Sequence, residues 1–146
     1  MNVTTHELPL PAAPTPGAPT PLYASGGHAV YWLGIEEETA FRCNVYLVTD
    51  GDTAWLVDPG NRATFPAIRE RVAALLPPER ISGLIVCHQD PDVAASMVDW
   101  LELNPELLIV SSPRTKVLLP HYGRADFRFH DIEAEPVLAL PSGAEL

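Results

Sequence analysis

Two continuous apolar runs, Leu84-Ile85-Val86-Cys87 and Leu107-Leu108-Ile109-Val110, stand on either side of a segment with helical spacing. Runs that are apolar at every position suit strands buried on both faces, as in parallel sheets. Between them Val93, Met97, Val98 and Leu101 form a helical stripe, which Asn104-Pro105 ends. Strand, helix and strand in that order make a βαβ unit. Such a unit implies parallel pairing, a right-handed crossover and a sheet covered on both faces. The fold class expected is α/β or mixed α+β.

Chemistry gathers at the turn inside that unit. The first run stops at His88, and Asp90 and Asp92 follow with Gln89 and Pro91 between them. In extended chain, alternate residues share a side, so His88, Asp90 and Asp92 would converge. An imidazole with two carboxylates is a metal-ligand set. Each residue also has an ordinary role to fill. Asp90-Pro91 is a good helix start, with aspartate as N-cap and proline at the first helical position. Asp92 suits a first-turn acid favoured by the helix dipole. His88 reads equally as a strand-end histidine with an ordinary hydrogen bond.

The chain around this unit divides readily. Residues 1–21 carry six of the sixteen prolines. Proline resists helix and sheet interiors, so residues 1–22 read as a disordered or polyproline-like tail and residues 23–146 as one domain. Ala29 to Ile35 is a strand candidate, and Glu36-Glu37-Glu38 a solvated turn. Val45 to Val48 and Ala54 to Val57 flank Asp50-Gly51, a hairpin signal. The second strand stops at Asp58-Pro59-Gly60, where Asp58 is either a site residue at a strand end or an Asx-turn that opens the loop. Phe65, Ile68, Val72, Leu75 and Leu76 mark an amphipathic helix over 65–76. Ser112 caps a short helix running to Leu119, followed by His121 and Tyr122. His121 is weighed as a ligand and as a histidine favoured at a helix C-terminus. Short strands are expected over 127–130 and 137–140.

Composition narrows the function classes. The 146 residues are 47% hydrophobic and 19% charged, as in globular domains, with a net charge of -10. That charge repels phosphate backbones and anionic lipid, so no nucleic-acid or membrane partner is expected. No run approaches the length of a membrane span, and the N-terminus has no signal-peptide pattern. Cys43 and Cys87 form no CxxC and point to a reduced compartment, the cytoplasm.

A family resemblance enters on these residues. Leu56-Val57-Asp58-Pro59-Gly60 followed by His88-x-Asp90-x-Asp92 resembles the metallo-β-lactamase superfamily. The hydrolases of that superfamily carry H-x-H-x-D-H at this turn, whereas here Asp90 and Val93 replace two histidines. The flavodiiron and oxygen-binding di-iron branch, with H-x-E-x-D, is the closer match. Glu37-Glu38-Thr39-Ala40-Phe41-Arg42-Cys43-Asn44 and Leu118-Leu119-Pro120-His121-Tyr122-Gly123 also look like that branch. The resemblance implies an αββα sandwich with a di-iron centre. His88 and Asp90 look like ligands of one iron and Asp92 like a ligand of the second. Asp90 is one methylene shorter than the usual glutamate, and Val93 stands where most relatives have a histidine. The family's further ligands, two histidines and a bridging aspartate, have no match after His88. The resemblance therefore implies the N-terminal half of a sandwich, truncated, with an exposed sheet face that favours a homo-oligomer.

Three functions follow as expectations. The first is a di-iron domain that binds oxygen or reduces oxygen or nitric oxide, with flavin on a separate domain or on an electron-donor protein. The second is a zinc- or manganese-dependent hydrolase of the glyoxalase or lactonase kind, against which Asp90 and Val93 argue. The third is a non-catalytic binding module that keeps the fold. Replacing imidazole by carboxylate gives harder donors and favours iron or manganese over zinc.

Overall fold

A computed structural model describes residues 17–34 and 42–146. The first sixteen residues of the proline-rich tail and the run Glu36-Glu37-Glu38 lie outside the described residues.

Seven strands form one mixed sheet in chain order: β1 Thr20–Ser25, β2 His28–Gly34, β3 Val45–Asp50, β4 Thr53–Val57, β5 Gly83–Ile85, β6 Leu108–Ser111 and β7 Arg128–Asp131. Strands β1 to β4 pair antiparallel, and from β4 onward the pairing is parallel. Connection length sets the change. Gly51, at φ 54, lets β3 turn straight back into β4. The later connections carry α1 Phe65–Ala73, then α2 Pro91–Ala94 with α3 Met97–Leu103, then α4 Pro113–Leu118. Such crossovers return each strand in the same direction. Ser112 caps α4 as its residue type predicts, its hydroxyl accepting from the Thr115 amide at 3.2 Å.

Side chains alternate along the strands and divide the sheet into two faces. Leu33, Val45, Leu47, Leu56, Leu84 and Ile109 meet Ile68 and Val72 of α1 and Met97, Trp100 and Leu101 of α3 in one buried cluster. The other face carries Val48, Trp55, Ile85, Leu108 and Val110. Here the expectation of an exposed face needs correcting, because residues 137–146 fold back over part of it. Leu138 and Leu146 exchange backbone hydrogen bonds at 2.9 Å, and Leu140 lies buried with Trp55 and Val110. Ser142 Oγ donates to the buried Asp50 carboxylate at 2.7 Å, and His28 Nδ1 pairs with the same carboxylate. The expected strand over 137–140 is reduced to one bridge, Ala139 to Glu145.

Close approach fixes one glycine. A Cβ on Gly83 would lie 2.4 Å from the Trp55 ring and 2.6 Å from the Leu108 carbonyl oxygen. Strand β1 takes Thr20, Pro21 and Leu22 into the sheet. Pro21 is tolerated because β1 is an edge strand.

The helix expected from the stripe of Val93, Met97, Val98 and Leu101 breaks at Ala95–Ser96. The cause is tertiary. The Asp58-Pro59-Gly60 loop docks there: the Gly60 amide donates to the Val93 carbonyl at 2.9 Å, the Ser96 amide to Gly60 at 3.0 Å, and Ser96 Oγ to Pro59 at 3.0 Å. None of the described helices is long and apolar enough to cross a membrane.

Candidate metal centre

The loops at the C-terminal ends of the parallel strands lie together, and the turn 87–93 leaves β5 among them. Its position is set from two sides. On one side stands Asp58, at φ 52 in the left-handed region that aspartate visits more readily than most residues. Its Oδ1 accepts from the Cys87 amide at 2.8 Å. Asp58 thus braces the neighbouring turn across the sheet edge, rather than only opening its own loop. On the other side a 3-10 turn, Leu119–Tyr122, follows α4. The Tyr122 hydroxyl donates to the Gln89 carbonyl.

His88 and Asp90 come together. His88 Nδ1 lies 3.5 Å from Asp90 Oδ2 and 3.3 Å from the Asp90 amide. Both side chains are more than half exposed, at 53% and 59%. Asp90 does occupy the N-cap position of α2, with extended backbone, and Pro91 opens the helix. Yet its carboxylate makes no capping hydrogen bond. It forgoes the ordinary role of a capping aspartate and faces the imidazole instead. Asp92 departs from the alternation argument, since it sits in the first turn of α2 and not in extended chain. Its charge is felt by both Cys43 and Tyr122. His121 is exposed.

Among the described residues, no three His, Cys, Asp or Glu side chains close around a common ion. In kind the donors fit iron or manganese, with one imidazole and hard carboxylate oxygens. In number they fill part of a coordination sphere. Of the three candidate donors, His88 and Asp90 are the two that stand in direct contact.

Two thiols stand by the turn, Cys43 partly buried and Cys87 exposed. Burial pushes the Cys43 thiol up to about 12, helped by the negative charges of Asp58 and Asp92 and by Cys87. Burial and Asp58 push the Cys87 thiol up to about 11. Both cysteines are free thiols and stay protonated at neutral pH. Burial and then Asp90 and Asp92 raise the Tyr122 phenol, which keeps it a donor.

Asp58 itself is raised above its ordinary value of 3.8 by burial, against the opposing hydrogen bonds from Cys87 and the charge of His88. A raised acid binds its proton more tightly in the folded state. Stability should therefore fall as pH rises from about 3.8 through the higher folded value. Asparagine at this position keeps an acceptor for the Cys87 amide and tolerates the positive φ. In metal-free buffer, Asp58→Asn should raise the urea midpoint at pH 7 and flatten its decline above pH 4. Identical midpoint-versus-pH curves for the two proteins would contradict this.

Known proteins resemble this chain over most of its length. The family model described as ODP family beta lactamase matches residues 41–146. The chain is 27% identical over 114 residues to diflavin flavoprotein A 1 of Synechocystis sp., a match covering 78% of this chain and 19% of the relative. The apo state of the chemotaxis sensor ODP from T. denticola superposes with a TM-score of 0.71 at 26% identity, covering 87% of this chain and 50% of that one. A structure of a peroxy di-iron species of chemotaxis sensor ODP gives 0.69 at 25% identity, covering 86% and 50%. The chain thus spans about a fifth of the curated relative and half of the sensor. The one sheet with helices on a single face corresponds to the N-terminal part of a metallo-β-lactamase-like sandwich.

Proposed function

Because the chain belongs to the ODP beta-lactamase family, we propose that it contributes His88, Asp90 and Asp92 to a di-iron centre that binds oxygen or reduces oxygen or nitric oxide. The observation that carries this reading is the Asp90 carboxylate, which leaves the helix cap and faces His88 at 3.5 Å. A capping aspartate normally bonds an amide of the first turn. One that does not is free for another partner, and a cation between carboxylate and imidazole is the partner that satisfies both.

The roles divide by chemistry. His88 supplies a neutral nitrogen donor and Asp90 an anionic oxygen to one iron. Asp92, on the adjacent helical turn, serves the second. Bound iron supplies oxygen binding and electron transfer. Carboxylate donors favour the oxidised metal, and this distinguishes the site from the imidazole-rich zinc hydrolases. Val93 offers no side-chain donor, so a second iron would need further ligands besides Asp92. The substrates are small molecules, and the electrons come from a flavin on another domain or from a donor protein. Two free thiols suit a reduced, cytoplasmic setting. Self-association through the part of the second sheet face left uncovered is included in the proposal.

Three ligands hold iron weakly, so the test is run with excess ferrous iron and no oxygen. Rapid mixing with oxygenated buffer should then produce a charge-transfer band that His88→Ala lacks. No spectral change, together with ester or thioester turnover in the presence of zinc, would replace this proposal by the hydrolase reading.

A further inference from the structure

We infer that Tyr122 is a positioning residue of the ligand turn: by holding the Gln89 carbonyl it fixes the spacing of His88 and Asp90 about a metal ion. The inference rests on the metal reading above. Gln89 lies between the two candidate ligands, and its carbonyl belongs to the peptide whose N–H is that of Asp90. That peptide is planar. Fixing its oxygen therefore fixes the Asp90 amide, which lies 3.3 Å from His88 Nδ1. One phenol thereby sets the orientation of the backbone that joins both donors.

The three supports of the turn are distributed so that Tyr122 holds the middle. Cys87 is held through its amide by Asp58, and Val93 through its carbonyl by Gly60. Those two bonds come from one loop and grip the ends. The Gln89 carbonyl, at the centre, is held by a residue 33 positions further along the chain. Tyr122 is itself well anchored. Its ring packs on the main core, the 3-10 turn it closes begins at the fully buried Leu119, and Gly123 at φ 103 ends that turn. An anchored residue thus steadies the half-buried Gln89 between the exposed side chains of His88 and Asp90. Residues that orient metal ligands in this way typically contribute about 10–100-fold to metal affinity.

The test compares wild type, Tyr122→Phe and the neighbouring exposed His121→Ala. Phenylalanine keeps the ring and removes only the hydroxyl. Manganese affinity is read from the free-ion electron paramagnetic resonance signal. Amide hydrogen exchange at Asp90 and the thermal midpoint are measured on the same samples. Tyr122→Phe should weaken manganese binding about 10–100-fold and speed exchange at Asp90, with the thermal midpoint little changed and His121→Ala like wild type. Equal affinity in wild type and Tyr122→Phe overturns the Tyr122 assignment and leaves the metal reading intact. A general loss of exchange protection in Tyr122→Phe marks a merely structural role and overturns it too. A wild type that binds no manganese overturns the metal reading, and this assignment with it.

Discussion

Replacing Trp100 by alanine should lower unfolding stability by about 3–5 kcal/mol, the range for removing a large aromatic side chain from a core. Trp100 is fully buried on α3. Its ring meets Phe65 of α1 edge to face, with centroids 5.2 Å apart and an interplanar angle of 83°. That geometry adds to the area term because the ring edge of one faces the electron-rich face of the other. Truncation would leave a void between the two helices that cover the sheet. A domain is stable by only about 5–15 kcal/mol in total, so the loss is a large fraction. The indole carries a cost of its own, since Nε1 is buried and has no hydrogen-bond partner among the described residues. Trp100→Phe removes that orphan donor while keeping a ring against Phe65, and should cost much less than the alanine change. Urea denaturation gives both values from the midpoints at constant slope. A shift below about 1 kcal/mol for Trp100→Ala would show that the contact between α1 and α3 is not the centre of the fold.

The architecture was legible in the sequence where local pattern decides it. The β3–β4 hairpin follows from two apolar stretches flanking Asp50-Gly51, and β5, α3 and β6 follow from a helical stripe between two apolar runs. The turn that carries His88 and Asp90 was legible as a turn because His88 ends one of those runs. Long-range contacts made the rest illegible. Helical periodicity runs unbroken through Ala95 and Ser96, and the break is imposed by hydrogen bonds from Pro59 and Gly60, distant in the chain. Asp58 carries the ordinary sign of an Asx-turn, while its brace on Cys87 exists only once β4 and β5 are paired. Alternation placed Asp92 beside His88 and Asp90, but Pro91 starts α2 one residue before it. His121 is the more obvious donor by residue type, yet it is its neighbour Tyr122 that reaches the turn. The only sequence signal for that residue was its place in the phrase Leu118 to Gly123. The partial coverage of the second sheet face by residues 137–146 had no local signature beyond the short strand expected over 137–140.

The central claim, that His88 and Asp90 hold a metal ion, is tested most directly by adding manganese to the isotopically labelled chain and recording its amide spectrum by nuclear magnetic resonance. A bound paramagnetic ion broadens nearby amides steeply with distance, so the measurement finds the site as well as the binding, even when affinity is low. The account predicts that residues 87–93 broaden first, with Tyr122 and Asp58 close behind. His88→Ala should abolish this at the same manganese concentration while the remainder of the spectrum stays in place. The loss should exceed the roughly 10–100-fold effect of removing a supporting residue, because a donor atom itself is gone. Asp90→Asn should weaken binding in the same direction by exchanging an anionic donor for a neutral one. Broadening centred on other acidic residues, or unchanged by His88→Ala, would contradict the claim and leave the turn as a helix start that happens to carry a histidine.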